Sequence, residues 1–102
     1  MVAEKIIIDL EKEWDLSSGF FGRLRTGLFD PDGFERLIKI LESVDLQHEE
    51  TINRRLVSLT WYIPIFMTWQ RDRIIENGYD ARSLELAINR VHAVLERLLG
   101  IP

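Results

Sequence analysis

The sequence contains no cysteine, and its 102 residues include only two histidines and three prolines. Without cysteine, a disulfide framework, a thiolate zinc site and a cysteine nucleophile are all excluded. The longest apolar stretch is about 14 residues and contains Pro64, whereas a bilayer span needs roughly 17 to 25. The amino terminus mixes charged with apolar residues, unlike a secretory signal. We therefore expect a cytoplasmic protein without a membrane span.

Hydrophobic residues make up 46% of the chain and charged residues 29%, which is typical of a globular protein. The length suits one shared core and is too short for two. We therefore predict a single helical domain over residues 1–102.

The net charge of −4 is unevenly distributed along the chain. Residues 1–51 carry 12 acids against 6 bases, whereas residues 52–102 carry 5 acids against 7 bases, all of them arginine. Such an acidic half disfavours nucleic acid and suits a basic protein partner.

Apolar residues repeat at helical spacing in the first part of the chain. A first amphipathic helix is predicted over residues 2–15, and Ser17 or Ser18 is predicted to cap a short second helix of about two turns. Asp30 and Pro31 predict the start of a third helix that ends near Ser43.

Residues 56–69 are apolar on every side and predict a buried central helix that begins near Thr51. Pro64 should kink this helix or split it in two, because it cannot donate to the carbonyl of Thr60. Asn77 and Gly78 predict its end.

The last helix is predicted from the cap Asp80 to Gly100, with apolar residues at spacings of three and four. No stretch alternates with the period of a strand. The predicted fold is therefore all-α, a single compact bundle of five to six helices around a central apolar helix that Pro64 interrupts.

Patterns that would indicate catalysis or a cofactor are incomplete. Gly22 and Gly27 have the spacing of a phosphate loop, but Leu28 and Phe29 occupy the positions of its lysine and hydroxyl residue. His48 has no second histidine four residues later, and no serine lies in a nucleophile elbow. We predict no enzyme, no metal and no cofactor.

Nucleic-acid binding is also disfavoured. Arg23 and Arg25 alternate with aromatic residues, but two arginines are too few for a typical set of phosphate contacts. The connection after the third helix is longer than the turn of a helix-turn-helix motif.

The densest acidic segment follows the third helix, and three further acids end the first helix. One interpretation is a solvated surface; the other is an electrostatic docking surface for a basic partner. The candidate partner-binding residues are Glu11, Glu13, Asp15, Glu42, Asp45, His48, Glu49 and Glu50.

The aromatic residues of the central segment also allow two interpretations. Trp61, Tyr62, Phe66 and Trp69 are spread around the helix, and we interpret them as core. The alternative is a groove or a dimer surface beside Pro64.

Two segments suggest a known type of protein: residues 15–25, DLSSGFFGRLR, and residues 29–37, FDPDGFERL. With its acidic charge and helical pattern, the chain resembles the small immunity proteins that bacteria make against contact-dependent growth-inhibition toxins. The resemblance implies a protein that binds a cognate toxin, a nuclease, and occludes its active site. It would act as a monomer or a weak homodimer. The alternatives are a self-associating structural or adaptor domain and a helical transcriptional regulator.

Overall fold

The computed structural model describes residues 4–46 and 49–102. Within these ranges the chain forms seven helical segments and no strand. They are α1 (Glu4–Glu13), α2 (Phe20–Arg25), α3 (Pro31–Glu42), α4 (Arg54–Thr60), α5 (Ile63–Trp69), α6 (Arg71–Glu76) and α7 (Ala81–Leu99). The predicted all-α bundle is confirmed. Its central helix corresponds to α4, α5 and α6.

All seven helices contribute to one cluster of buried apolar side chains. The largest of these include Phe20, Phe21, Leu37 and Met67. Trp14 completes the aromatic part of the core, because its ring stacks on Phe21 with centroids 4.1 Å apart and its indole nitrogen donates to the carbonyl of Leu59.

Contacts along the chain fix the directions of the main helices. Arg90 of α7 contacts Glu35 of α3, and Arg97 contacts the carbonyl of Leu41 further along α3. Later residues of α7 thus contact later residues of α3, so the two helices are parallel. Helix α1 runs the opposite way to α3, because Glu13 contacts Arg36 whereas Asp9 lies near Ile40.

Several predicted helix ends are confirmed, because their signals act locally. Asp30 is the N-cap of α3, Pro31 is its first residue and Ser43 its C-cap. Asp80 caps α7 through a hydrogen bond from the backbone nitrogen of Arg82, and Gly100 ends it with a φ of 85°. Helix α6 ends before Asn77 and Gly78 as predicted.

The predicted cap of the second helix is wrong. Ser17 and Ser18 both donate to the carboxylate of Asp15, and the N-cap of α2 is Gly19. The backbone nitrogen of Phe20 donates instead to Oε1 of Glu13, at 3.0 Å. A carboxylate from the preceding helix therefore satisfies a donor that a local serine was expected to satisfy.

The central segment begins later than predicted and is divided. Asn53, not Thr51, caps α4, and its side chain accepts hydrogen bonds from the backbone nitrogens of Arg55 and Leu56. Pro64 lies in the first turn of α5, where a missing N–H is tolerated, and α4 ends at Thr60. Of the two outcomes predicted for Pro64, the structure shows the split.

Only one face of the central segment, α4 to α6, is buried. Ile63, Phe66 and Met67 are in the core, but Trp61 is 53% exposed and Trp69 is 68% exposed. The prediction that these two tryptophans belong to the core is wrong. An all-apolar sequence does not require that all of its faces be covered.

Candidate functional site

The described acids that follow α3 lie at one end of the bundle, beside the end of α7. Because α3 and α7 are parallel, their C-terminal ends both lie at this end of the molecule. Four exposed acids gather there, and we call them the acidic end: Glu42, Asp45, Glu49 and Glu50. The C-terminus of a helix carries a partial negative charge, so two helix ends add to the potential of the carboxylates.

A cavity of about 630 Å³ opens at the acidic end. On one side it is lined by the connection, with Asp45, Glu49 and Glu50. On the other it is lined by the last turn of α7, including Leu99 and Gly100. Its acidic lining is suited to a guanidinium or ammonium group and not to an anion.

One arginine also lines this cavity and moderates its charge. Arg97 donates to the carbonyl oxygens of Leu41, at 3.3 Å, and Val44, at 3.5 Å. These carbonyls belong to the last turn of α3 and to the residue just after its C-cap. The guanidinium thus connects the ends of the two helices, while the buried side chain of Val44 packs in the core.

The acids of α1 have different surroundings. Glu11 is exposed and pairs with Arg55 in the first turn of α4, at 2.8 Å. Asp15 follows the C-terminal end of α1, and because α1 runs opposite to α3 it lies away from the acidic end. Neither side chain lines the cavity.

Hydrogen bonds hold Asp15 in its charged form. The backbone nitrogen and hydroxyl of Ser18 and the hydroxyl and backbone nitrogen of Ser17 all donate to its carboxylate, and they lower the pKa of Asp15 from 3.8 to about 2. This cluster closes the turn between α1 and α2.

Glu13 is not part of an exposed surface. It is 3% exposed, and its two carboxylate oxygens accept hydrogen bonds from Nε and Nη2 of Arg36 at 2.6 and 2.8 Å. The hydrogen bond from Arg36 to Glu13 raises the pKa of that guanidinium. The structure thus gives Glu13 an internal role, because its carboxylate is buried and bonded to Arg36 and to the backbone nitrogen of Phe20. His48, the remaining candidate, lies outside the described residues.

The structure also exposes an aromatic surface that the sequence interpretation assigned to the core. Trp61 and Trp69 both contact Tyr62, with ring centroids 5.4 and 5.8 Å apart. The guanidinium of Arg25 lies 5.3 Å from the ring centroid of the adjacent Phe66. A sequence signal was present, because polar Ser58 and Asp72 share the helical face of Trp61 and mark it as exposed.

In the residues that the structure describes, no group of three or more metal-ligating side chains is placed to hold an ion. Across the same residues, no helix is both long and apolar enough to span a membrane. The fold and these surfaces define an all-α helical bundle with an acidic end and an exposed aromatic face. No protein-family model, curated protein or solved structure matches this chain.

Proposed function

We propose that this chain is a protein-binding inhibitor of the immunity type, which binds a basic toxin, a nuclease, through the acidic end. The observation that carries the proposal is the position of four exposed acids across the C-terminal ends of two parallel helices. Carboxylates and helix termini of one sign reinforce each other there.

A nuclease presents cationic side chains to its substrate phosphates. An inhibitor whose carboxylates have a spacing comparable to that of the phosphates can pair with those cationic side chains and exclude the substrate. Charge complementarity of this kind raises the association rate and selects the orientation of the encounter. The cavity between the connection and α7 offers room for a cationic side chain of the partner beside Glu50.

The experiment uses the protein encoded beside this chain in its genome as the partner. Binding is measured by calorimetry for the natural chain and for the double variant Glu42→Lys/Glu50→Lys. Asp32→Lys/Glu85→Lys is the matched control, because it changes the same charge at exposed acids of α3 and α7 away from their C-terminal ends.

We expect the acidic-end variant to weaken binding by at least about 100-fold, because a charge left unpaired at an interface costs several kcal/mol of binding free energy. The dependence of binding on salt concentration should also decrease. The control should bind within a few-fold of the natural chain. Equal affinities for the two variants, or no binding by the natural chain, would refute the proposal.

A further inference from the structure

A second surface of the molecule runs along the segment from α4 to α6. The backbone stays in the right-handed helical region at the two junctions, with φ and ψ of −61° and −31° at Trp61 and −89° and −1° at Gln70. The chain therefore keeps helical backbone angles across the two divisions, so residues 54–76 turn at close to the helical rate although the hydrogen-bonded helix is interrupted there.

Eight exposed residues of this segment share one side of it. At about 100° per residue they fall within a sector of roughly 100°, the width of a single helix face. All eight are exposed, whereas the opposite face supplies core residues such as Leu56, Ile63 and Met67. We call this surface the aromatic stripe; its members are Arg54, Ser58, Trp61, Ile65, Thr68, Trp69, Asp72 and Glu76.

The aromatic stripe is nearly symmetric about Ile65. Trp61 and Trp69 lie four residues to either side of it, and Arg54 and Glu76 lie eleven residues to either side. The indoles thus occupy equivalent positions, while the charges at the two ends have opposite signs.

The charges of the aromatic stripe are not paired within the part of the chain that the structure describes. Arg55 pairs with Glu11 and Arg71 contacts Glu85, but Arg54, Asp72 and Glu76 form no ion pair among the described residues. Unpaired opposite charges at mirrored positions complement each other when the stripe meets a copy of itself in the reverse direction.

We infer that two copies of the chain associate through the aromatic stripe in an antiparallel, two-fold symmetric arrangement. Ile65 lies at the two-fold axis, Trp61 of one copy packs against Trp69 of the other, and Arg54 of one copy pairs with Glu76 of the other. A two-fold interface uses the same patch on both copies, and this patch is self-complementary.

A second copy suits the stripe better than an unrelated partner, because one sequence supplies both halves of each predicted contact. Tryptophans at the centre with charged residues at the rim follow the usual anatomy of a protein interface. The stripe is one helix wide and roughly 33 Å long at 1.5 Å per residue, which is small for an interface, so we expect a dimer that dissociates on dilution.

The test measures the dimer dissociation constant by analytical ultracentrifugation across micromolar to millimolar concentrations. Arg54→Glu and Glu76→Arg should each weaken the dimer at least about tenfold, because each places like charges opposite each other at both ends of the interface. Arg82→Glu, which changes an exposed arginine of α7 outside the stripe, is the matched control and should have no effect.

Two combinations test the antiparallel register. The double variant Arg54→Glu/Glu76→Arg exchanges both charges and should regain the natural dissociation constant. An equimolar mixture of the two single variants should form a heterodimer, because the glutamate introduced in one chain then meets the arginine introduced in the other. At the opposite end of that heterodimer, the unchanged Glu76 of the first chain meets the unchanged Arg54 of the second.

Trp61→Ser/Trp69→Ser should abolish the dimer while the far-ultraviolet circular dichroism stays unchanged. A natural chain that remains monomeric at millimolar concentration would overturn the inference. So would a dimer that is insensitive to the charge variants, or single variants that neither the double exchange nor the mixture rescues. Binding of another protein to a monomeric aromatic stripe would count against it as well. These variants leave Glu42 and Glu50 in place, so failure of the dimer is separate from failure of toxin binding.

Discussion

Glu13 and Arg36 join three helices through one carboxylate. Arg36 of α3 donates to both oxygens of Glu13 at the end of α1, and the first backbone nitrogen of α2 donates to the same group. Glu13 is buried, while the side chain of Arg36 is half exposed. The pair therefore fixes the connection of α1, α2 and α3.

We predict that Arg36→Ala lowers the free energy of unfolding by about 3 kcal/mol, because a buried carboxylate loses its counter-charge. Glu13→Gln should cost about 1 to 2 kcal/mol, since an amide oxygen still accepts from Phe20. Glu35→Gln, which breaks the exposed pair with Arg90, should cost less than about 1 kcal/mol. Urea unfolding measures all three; equal costs would contradict a structural role for Glu13.

The lowered pKa of Asp15 predicts that the stability of the fold decreases at acidic pH. Its folded pKa of about 2 lies below its ordinary value of 3.8, so its charged form stabilises the fold. That contribution is complete above the ordinary value and is lost as the pH falls through about 2. Asp15→Asn should therefore lower the melting temperature at neutral pH, and the difference from the natural chain should shrink below pH 4. Asp32→Asn, at an exposed aspartate without such hydrogen bonds, is the control and should show a smaller change over the same range.

Gly22 allows a close approach of two backbone segments. A Cβ at this position would lie 1.9 Å from the carbonyl oxygen of Asp15, in the turn before α2. We predict that Gly22→Ala destabilises the chain by about 2 kcal/mol or more, because backbone has to move. Gly33→Ala in α3 is the matched control. The three atoms nearest to its Cβ would belong to the side chains of Asp30 and Arg36, which can move, and the gain in helix propensity of up to about 1 kcal/mol offsets those contacts. Similar thermal shifts for both variants would contradict the packing described.

The tryptophans should differ sharply in their contribution to stability. Trp14 stacks on Phe21 and donates to Leu59, so Trp14→Ala should cost about 3 kcal/mol or more. Trp69→Ala should cost less than about 1 kcal/mol at concentrations where the chain is monomeric, because its ring is mostly exposed. Denaturant unfolding at low protein concentration makes the comparison. A large loss for Trp69→Ala would show that its ring belongs to the core.

Sequence periodicity predicts which residues share a face, but not whether another element covers that face. For this reason the prediction that residues 56–69 supply core side chains is confirmed for Ile63, Phe66 and Met67 and is wrong for Trp61 and Trp69. The same limit applies to charges. The i, i+4 spacing predicts the pair of Asp32 with Arg36, whereas the folded chain directs Arg36 to Glu13, 23 residues away.

The sequence is sufficient to predict the helical class and several helix ends, because Pro31, Asp80, Asn77 with Gly78 and Gly100 act on neighbouring backbone groups. It also determined the excess of acids in the first half of the chain. Where those acids lie depends on how the helices pack. The parallel course of α3 and α7 places Glu42, Asp45, Glu49 and Glu50 over two helix C-termini, while packing of α1 on α3 buries Glu13. Both outcomes depend on contacts between residues far apart in sequence, which no local pattern encodes.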